Sequence, residues 1–199
     1  MEGHRYFILN KPYNMVSQFV SSHDVPLLHQ IDFNFPEGTH AIGRLDCASE
    51  GLLLLTTNKK VTRLLFQGKE PHRRKYLIQV KGVVEEKSVE NLRNGIVIPI
   101  KNGIPYTTQP CEVTIVKHPE NLFSSGYELH QNVISTWLEI TLTEGKFHQV
   151  RKMVFAIGHP CKRLIRVSIE DIGLEKLLPG EVREISEIDF FRQLKIDQY

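Results

Sequence analysis

The chain has 199 residues, 41% hydrophobic and 24% charged, with a formal net charge of +2, which is the profile of a folded soluble protein. At this length a compact chain buries roughly 70% of its unfolded surface, so disulfide or metal staples are not needed. Three cysteines (Cys47, Cys111 and Cys161) without CxxC spacing exclude a disulfide scaffold and a zinc ribbon, and no apolar run approaches the ~20 residues of a membrane helix.

In chain order, Tyr6 to Leu9 reads as a short strand ended by Lys11-Pro12. Residues 17–39 are polar and irregular, and His40 to Ile42 is a second short strand. Gly51 to Thr56 is uncharged and brief, which fits a strand buried on both faces. Lys59 to Gln67 carries Val61, Leu64 and Leu65 at helical spacing. Lys75 to Lys81 alternates, with Tyr76, Ile78 and Val80 on one face. Glu85 to Asn94 is helical, with Gly95 as its C-terminal cap. Cys111 to Lys117 and Ile134 to Thr143 are strands, and the polar 118–133 stretch between them is a candidate mobile loop. Phe147 to Ile157 is a helix closed by Gly158; Arg163 to Ile169 and Glu181 to Ile185 are strands; Ser186 caps a last short helix. Strands dominate, helices are short, and no regular βαβ alternation is present. The expectation is an α+β fold with a mostly antiparallel sheet: one domain over residues 1–199, or two half-domains sharing a core. Met1 to Arg5 carries no signal-peptide core, so the expected compartment is the cytoplasm.

The charge is unevenly spread. Residues 1–166 carry net +6 (21 Lys and Arg against 15 Asp and Glu), and residues 167–199 carry net −4 (4 against 8). Lys69, Arg73, Arg74 and Lys75 form one basic group; Lys146, Arg151, Lys152, Lys162, Arg163 and Arg166 form another with no acid between them. One such group is ordinarily a solvated face, but two flanking one candidate site suit a phosphate backbone.

Three segments can carry chemistry. Asp46 lies in a loop, Gly43-Arg44-Leu45-Asp46, pinned between a short strand and a buried one; on pattern alone, an Asp capping a turn beside Ser49 is the default alternative. On a helix, Phe147, Val150, Arg151 and Val154 share the inward face, so Arg151 needs an anionic partner unless it snorkels outward. Tyr76 points at the core or a cleft, and a core tyrosine is the default. A hydrolase pairing Asp46 with Glu50 requires a helix that Gly51 and the following strand argue against, and a metal site at His159 and Cys161 is weaker than a Gly-His-Pro turn.

Gly43-Arg-Leu-Asp46 with Ser49-Glu-Gly-Leu-Leu-Leu-Leu-Thr-Thr-Asn58 resembles the catalytic motif of RsuA-type pseudouridine synthases. Arg74-Lys-Tyr-Leu-Ile-Gln-Val-Lys-Gly82 resembles that family's tyrosine strand, and Glu144-Gly-Lys-Phe-His-Gln-Val-Arg-Lys-Met153 its arginine motif. Gly158-His-Pro, Arg163-Leu-Ile-Arg-Val167 and Leu177-Leu-Pro-Gly-Glu-Val-Arg-Glu184 resemble its C-terminal signature. The blocks occur in the family's order and span most of the chain. Cys47, Ala48 and Lys152 depart from it, and only nine residues precede Asn10-Lys11-Pro12, too few for the S4-type domain of other members.

The resemblance implies the pseudouridine synthase fold, with peripheral helices and an active-site cleft, and isomerisation of a flipped uridine in ribosomal RNA, foremost of the large subunit. Small-subunit or transfer RNA, or a non-catalytic RNA-binding assembly factor, are the alternatives. It implies no cofactor, metal or membrane partner, and a monomer is expected. Asp46 would act at the sugar, paired with Arg151, and Tyr76 would stack on the uracil. Arg44, Leu164, Lys75, Lys152, His148, Arg73 and Arg74 would bind the substrate. The two basic groups and the 118–133 loop would read the RNA.

Overall fold

The computed structural model describes residues 3–67, 71–120, 122–128 and 133–199. Lys69 of the first basic group, and residues 121 and 129–132 of the expected loop, lie outside these residues. The elements in order are β1 (Tyr6–Lys11), β2 (His40–Ala41), β3 (Glu50–Thr56), α1 (Val61–Gln67), β4 (Arg74–Lys81), α2 (Glu86–Arg93), β5 (Val97–Pro99), β6 (Pro105–Thr107), β7 (Glu112–Val116), β8 (Ser135–Leu142), α3 (Gln149–Ala156), β9 (Cys161–Ile169), β10 (Ile172–Gly173), β11 (Val182–Ile185) and α4 (Glu187–Gln193). One sheet runs β11-β1-β3-β9-β4-β8-β7, with β2 on β3 and β10 on β9; β5 and β6 form a separate hairpin. Every pairing is antiparallel except β3 with β9, which run parallel over Glu50–Ile165 and Gly51–Arg166. This is the expected α+β architecture. Among the described residues no helix is long and apolar enough to cross a membrane.

The uninterrupted leucines of β3 follow from its position. Leu52 and Leu54 pack with Tyr6, Ile8, Phe190 and Phe191 on one face, while Leu53 and Leu55 pack with Phe7, Leu9, Leu28 and Leu45 on the other. A strand covered on both faces has no side that must be polar. A second core lies across β4 and β8, where Ile78, Val80, Leu138 and Ile140 meet Val89 and Leu92 of α2 and Val150, Met153 and Val154 of α3. Ser186 caps α4 as its sequence suggests, its hydroxyl accepting from the Asp189 N–H at 3.1 Å.

The parallel seam joins the two regions of the sheet, and its close approach dictates glycine at position 51. Gly51 has φ of +101°, and a Cβ there would lie 2.3 Å from the Arg166 carbonyl oxygen. Beside it, the Arg163 guanidinium donates to both oxygens of Glu50 at 2.8 and 3.0 Å, in full burial.

α3 differs from its expected form. It begins at Gln149, because His148 takes a left-handed backbone (φ 54°) that no helix accommodates. Phe147 is therefore released from the inward face and is 74% exposed; Gln149, Val150, Met153 and Val154 form the buried side. The β5–β6 hairpin is unexpected, since Pro99 and Pro105 bracket it and each strand has three residues.

Candidate active site

A cleft of about 830 Å³ opens where the β2–β3 loop faces β4, β9 and the turn before α3. Residues 43–49 form one wall. Gly43 has φ of +73°, and the Phe66 ring lies 2.6 Å from where a Cβ would stand. Three anchors hold the loop. The Ser17 hydroxyl donates to the Leu45 carbonyl at 2.8 Å and accepts from the Leu45 N–H at 3.0 Å. The Arg151 Nη2 donates to the Ala48 carbonyl at 2.7 Å and the Ser49 hydroxyl at 3.2 Å. The buried Lys11 ammonium donates to the Met15 and Pro12 carbonyls at 2.6 and 2.9 Å, and more weakly to Cys47 at 3.4 Å. Burial pulls Lys11 down to about 8, against the attraction of Cys47, Glu50 and Asp46.

Asp46 emerges from this fixed backbone with its side chain one-third exposed. The expected Asp46–Arg151 ion pair is replaced by a different arrangement. Among the described residues, the basic side chain within ion-pair distance of Asp46 is the His148 imidazole, at 3.7 Å from Nε2 to Oδ1, too long for a hydrogen bond. Arg151 instead binds the loop two and three residues beyond Asp46, at the Ala48 carbonyl and the Ser49 hydroxyl, so it acts on Asp46 through the loop. The physical reason is that a backbone carbonyl and a hydroxyl can take the guanidinium's donors without a carboxylate.

Asp46, Arg44, Tyr76, Leu164, His148 and Arg74 all line the cleft. Arg74 is buried, its guanidinium over the Phe66 ring at 5.1 Å, and burial lowers its affinity for the proton below the ordinary value. His148 stacks on Phe147 at 3.9 Å. Its strained backbone beside a carboxylate in a cleft is the kind of outlier that marks a functional position.

Arg151, Lys75, Lys152 and Arg73 do not line it. Lys75 follows the strand alternation to the opposite face, where it pairs with Glu139 at 3.0 Å. Arg73 precedes β4 and pairs with Glu112 at 2.6 Å. Lys152 lies over the outer Phe147 ring at 5.5 Å. His159, the weak metal candidate, has its Nδ1 on the Lys81 carbonyl at 2.9 Å, and among the described residues no three His, Cys, Asp or Glu side chains group to hold a metal.

Two cleft residues escape pattern reading: Lys146 and Arg166. Both stand out only as members of a basic group. The usable signal for Arg166 was period two: it follows Leu164 by two residues in β9 and so shares its face. Arg166 is also the antiparallel partner of Tyr76 across β4 and β9.

Residues 5–156 match the family described as RNA pseudouridylate synthase. The ribosomal large subunit pseudouridine synthase E of Vibrio parahaemolyticus is 36% identical over 186 residues, covering 93% of this chain and 75% of its own. That of Xanthomonas axonopodis pv. citri is 35% identical, covering 86% and 89%. A solved structure described as a pseudouridylate synthase superposes with a TM-score of 0.75 at 28% identity, covering 97% of this chain and 75% of its own.

Proposed function

The chain belongs to the RNA pseudouridylate synthase family, and from that premise we propose that it isomerises one uridine of ribosomal RNA to pseudouridine, with Asp46 acting at the sugar. The observation that carries the reading is the convergence of Asp46 and Tyr76 on one cleft bordered by Arg44, Arg74, Lys146 and Arg166. A carboxylate there can attack C1′ or take a sugar proton; the aromatic ring offers a stacking face; the exposed Arg44 and Lys146 suit an RNA strand. The Vibrio and Xanthomonas relatives are named for the large ribosomal subunit, and large-subunit RNA is the target we propose here.

The isomerisation breaks the N1–C1′ bond, turns the uracil and forms a C5–C1′ bond; the C5 proton leaves and N1 ends protonated. A paired uridine hides both atoms in the stack, so the target must be flipped into the cleft. Flipping costs a few kcal/mol, which cationic contacts to the strand offset. Tyr76 stacks on the extruded base. Arg151 is a positioning residue that keeps the Asp46 loop in register through Ala48 and Ser49.

The test is release of tritium from C5 of uridine in unmodified ribosomal RNA. Wild type should release it stoichiometrically at one mapped site, and Asp46→Asn should release none while keeping the native circular dichroism spectrum. Equal release by both proteins refutes the role of Asp46.

A further inference from the structure

Among the described residues, Arg166 is a buried cation without an ion-paired anion. It is 4% exposed and lines the floor of the cleft. Its Nε donates to the Leu52 carbonyl at 2.8 Å, and its Nη2 is buried with no hydrogen-bond partner. Among the described residues no carboxylate comes within ion-pair distance of it. Arg163, three residues earlier in the same strand, shows the contrast: equally buried, it holds Glu50 with two hydrogen bonds. Arg74 is likewise buried on the cleft side of β4, its guanidinium over the Phe66 ring and attracted by Glu170 from beyond ion-pair distance. Tyr76 stands next to both, two residues from Arg74 on one strand face and opposite Arg166 across the sheet.

A desolvated guanidinium without a counter-charge is strongly unfavourable. Two in one cleft are retained only where negative charge arrives. We propose that Arg166, supported by Arg74, stabilises the negative charge that develops on the uracil when the N1–C1′ bond breaks; the inference rests on the isomerase reading above. The electron pair of that bond leaves with N1 and spreads onto the two ring carbonyl oxygens. On the sugar side, Asp46 balances C1′ by forming a C–O bond to it or by taking the C2′ proton. C5 then bonds to C1′ as the Asp46 C–O bond breaks or the C2′ proton returns, and C5 loses its proton while N1 gains one, which leaves Asp46 free. Arg166 is unchanged throughout. It is preorganised by its hydrogen bond to the Leu52 carbonyl, so no reorientation is needed as the charge forms.

The experiment is single-turnover conversion of uridine-containing ribosomal RNA by wild type, Arg166→Gln and Arg166→Lys, beside equilibrium RNA binding over a salt series. Conversion by Arg166→Gln should fall on the order of 10²-fold, the effect of removing one preorganised charge donor. RNA affinity and its salt slope should stay unchanged, since no phosphate contact is lost. Arg166→Lys keeps the charge and should recover part of the rate, which guards against a glutamine variant that folds poorly. The decisive arm substitutes 5-fluorouridine at the target and follows loss of that nucleoside by chromatography. The fluorine withdraws electrons and itself stabilises the charge left on N1, so the gap between wild type and Arg166→Gln should narrow. An equal gap on both substrates overturns the proposal, as does a loss confined to affinity and salt slope, the mark of a phosphate contact. A wild type inactive on ribosomal RNA sinks the isomerase reading and this one with it. An active wild type with an equally active Arg166→Gln sinks this one alone.

Discussion

Replacing Arg163 with methionine should destabilise the protein more than any surface change, because it strands a buried carboxylate. Glu50 and Arg163 are 1% and 2% exposed and joined by two short hydrogen bonds across the parallel seam. Removing one partner of such a pair costs about 3–5 kcal/mol, since the other charge stays buried and unpaired. Against a total stability of roughly 5–15 kcal/mol, that is a large fraction. For a chain of this size the melting temperature should fall by roughly 10 °C. Glu50→Leu should cost a similar amount for the mirror-image reason. The double variant, Glu50→Leu with Arg163→Met, removes both charges and fills the space with apolar atoms. It should recover most of the loss, with a coupling on the order of 3 kcal/mol. Urea unfolding of the four proteins, followed by circular dichroism, measures the cycle. Single variants that each lose less than about 1 kcal/mol, or effects that simply add, would refute the claim that the seam depends on this pair.

Gly51→Ala should destabilise by several kcal/mol and lower soluble yield, because its Cβ would meet the Arg166 carbonyl at 2.3 Å in a left-handed conformation; an unchanged melting temperature refutes the close approach. Lys11 holds its proton less tightly folded, at about 8, than unfolded, near its ordinary 10.5. The cost of burying its charge is complete below pH 8 and is relieved as pH rises towards 10.5. Across that window wild type should gain on the order of 3 kcal/mol relative to Lys11→Met, read from urea midpoints at matched pH. A difference that is flat with pH rejects the burial argument. Tyr76→Phe should keep RNA affinity, while Tyr76→Ala should lose about 1–3 kcal/mol of stacking in a filter-binding titration.

Burial patterns were legible in the sequence, and charge partners were not. The leucine run of β3 announced a strand covered on both faces, and the Ser186–Asp189 spacing announced a cap. Both are local signals with a fixed period or offset. The start of α3 was misplaced because a left-handed His148 has no signature when glycine or asparagine is absent. Pattern alone left Asp46 a turn cap and Tyr76 a core tyrosine; the family resemblance singled both out, and the fold brings both to one cleft. The partner of Arg151 could not be read, because carbonyls and a hydroxyl satisfy a guanidinium as well as a carboxylate does and every residue has a carbonyl. Arg166 was visible as a charge, but only the pairing of β4 with β9 places it opposite Tyr76.

The order of strands also bears on how the protein is made. β1 lies between β3 and β11, and residues 6–9 pair with residues 182–185. During synthesis β1 and β3 can zip together early, yet the outer hydrogen-bonding edge of β1 has no partner until residue 185 has cleared the ribosome. At about 5–20 residues per second that interval lasts on the order of ten seconds. Throughout it, an apolar strand edge is open to pairing with other nascent chains. The closing contact is also among the most distant in sequence, so loop-closure entropy makes it a late event in refolding. Recovery from denaturant should therefore depend on protein concentration, and chaperones that shield exposed edges should matter more to the birth of this protein than to its finished life.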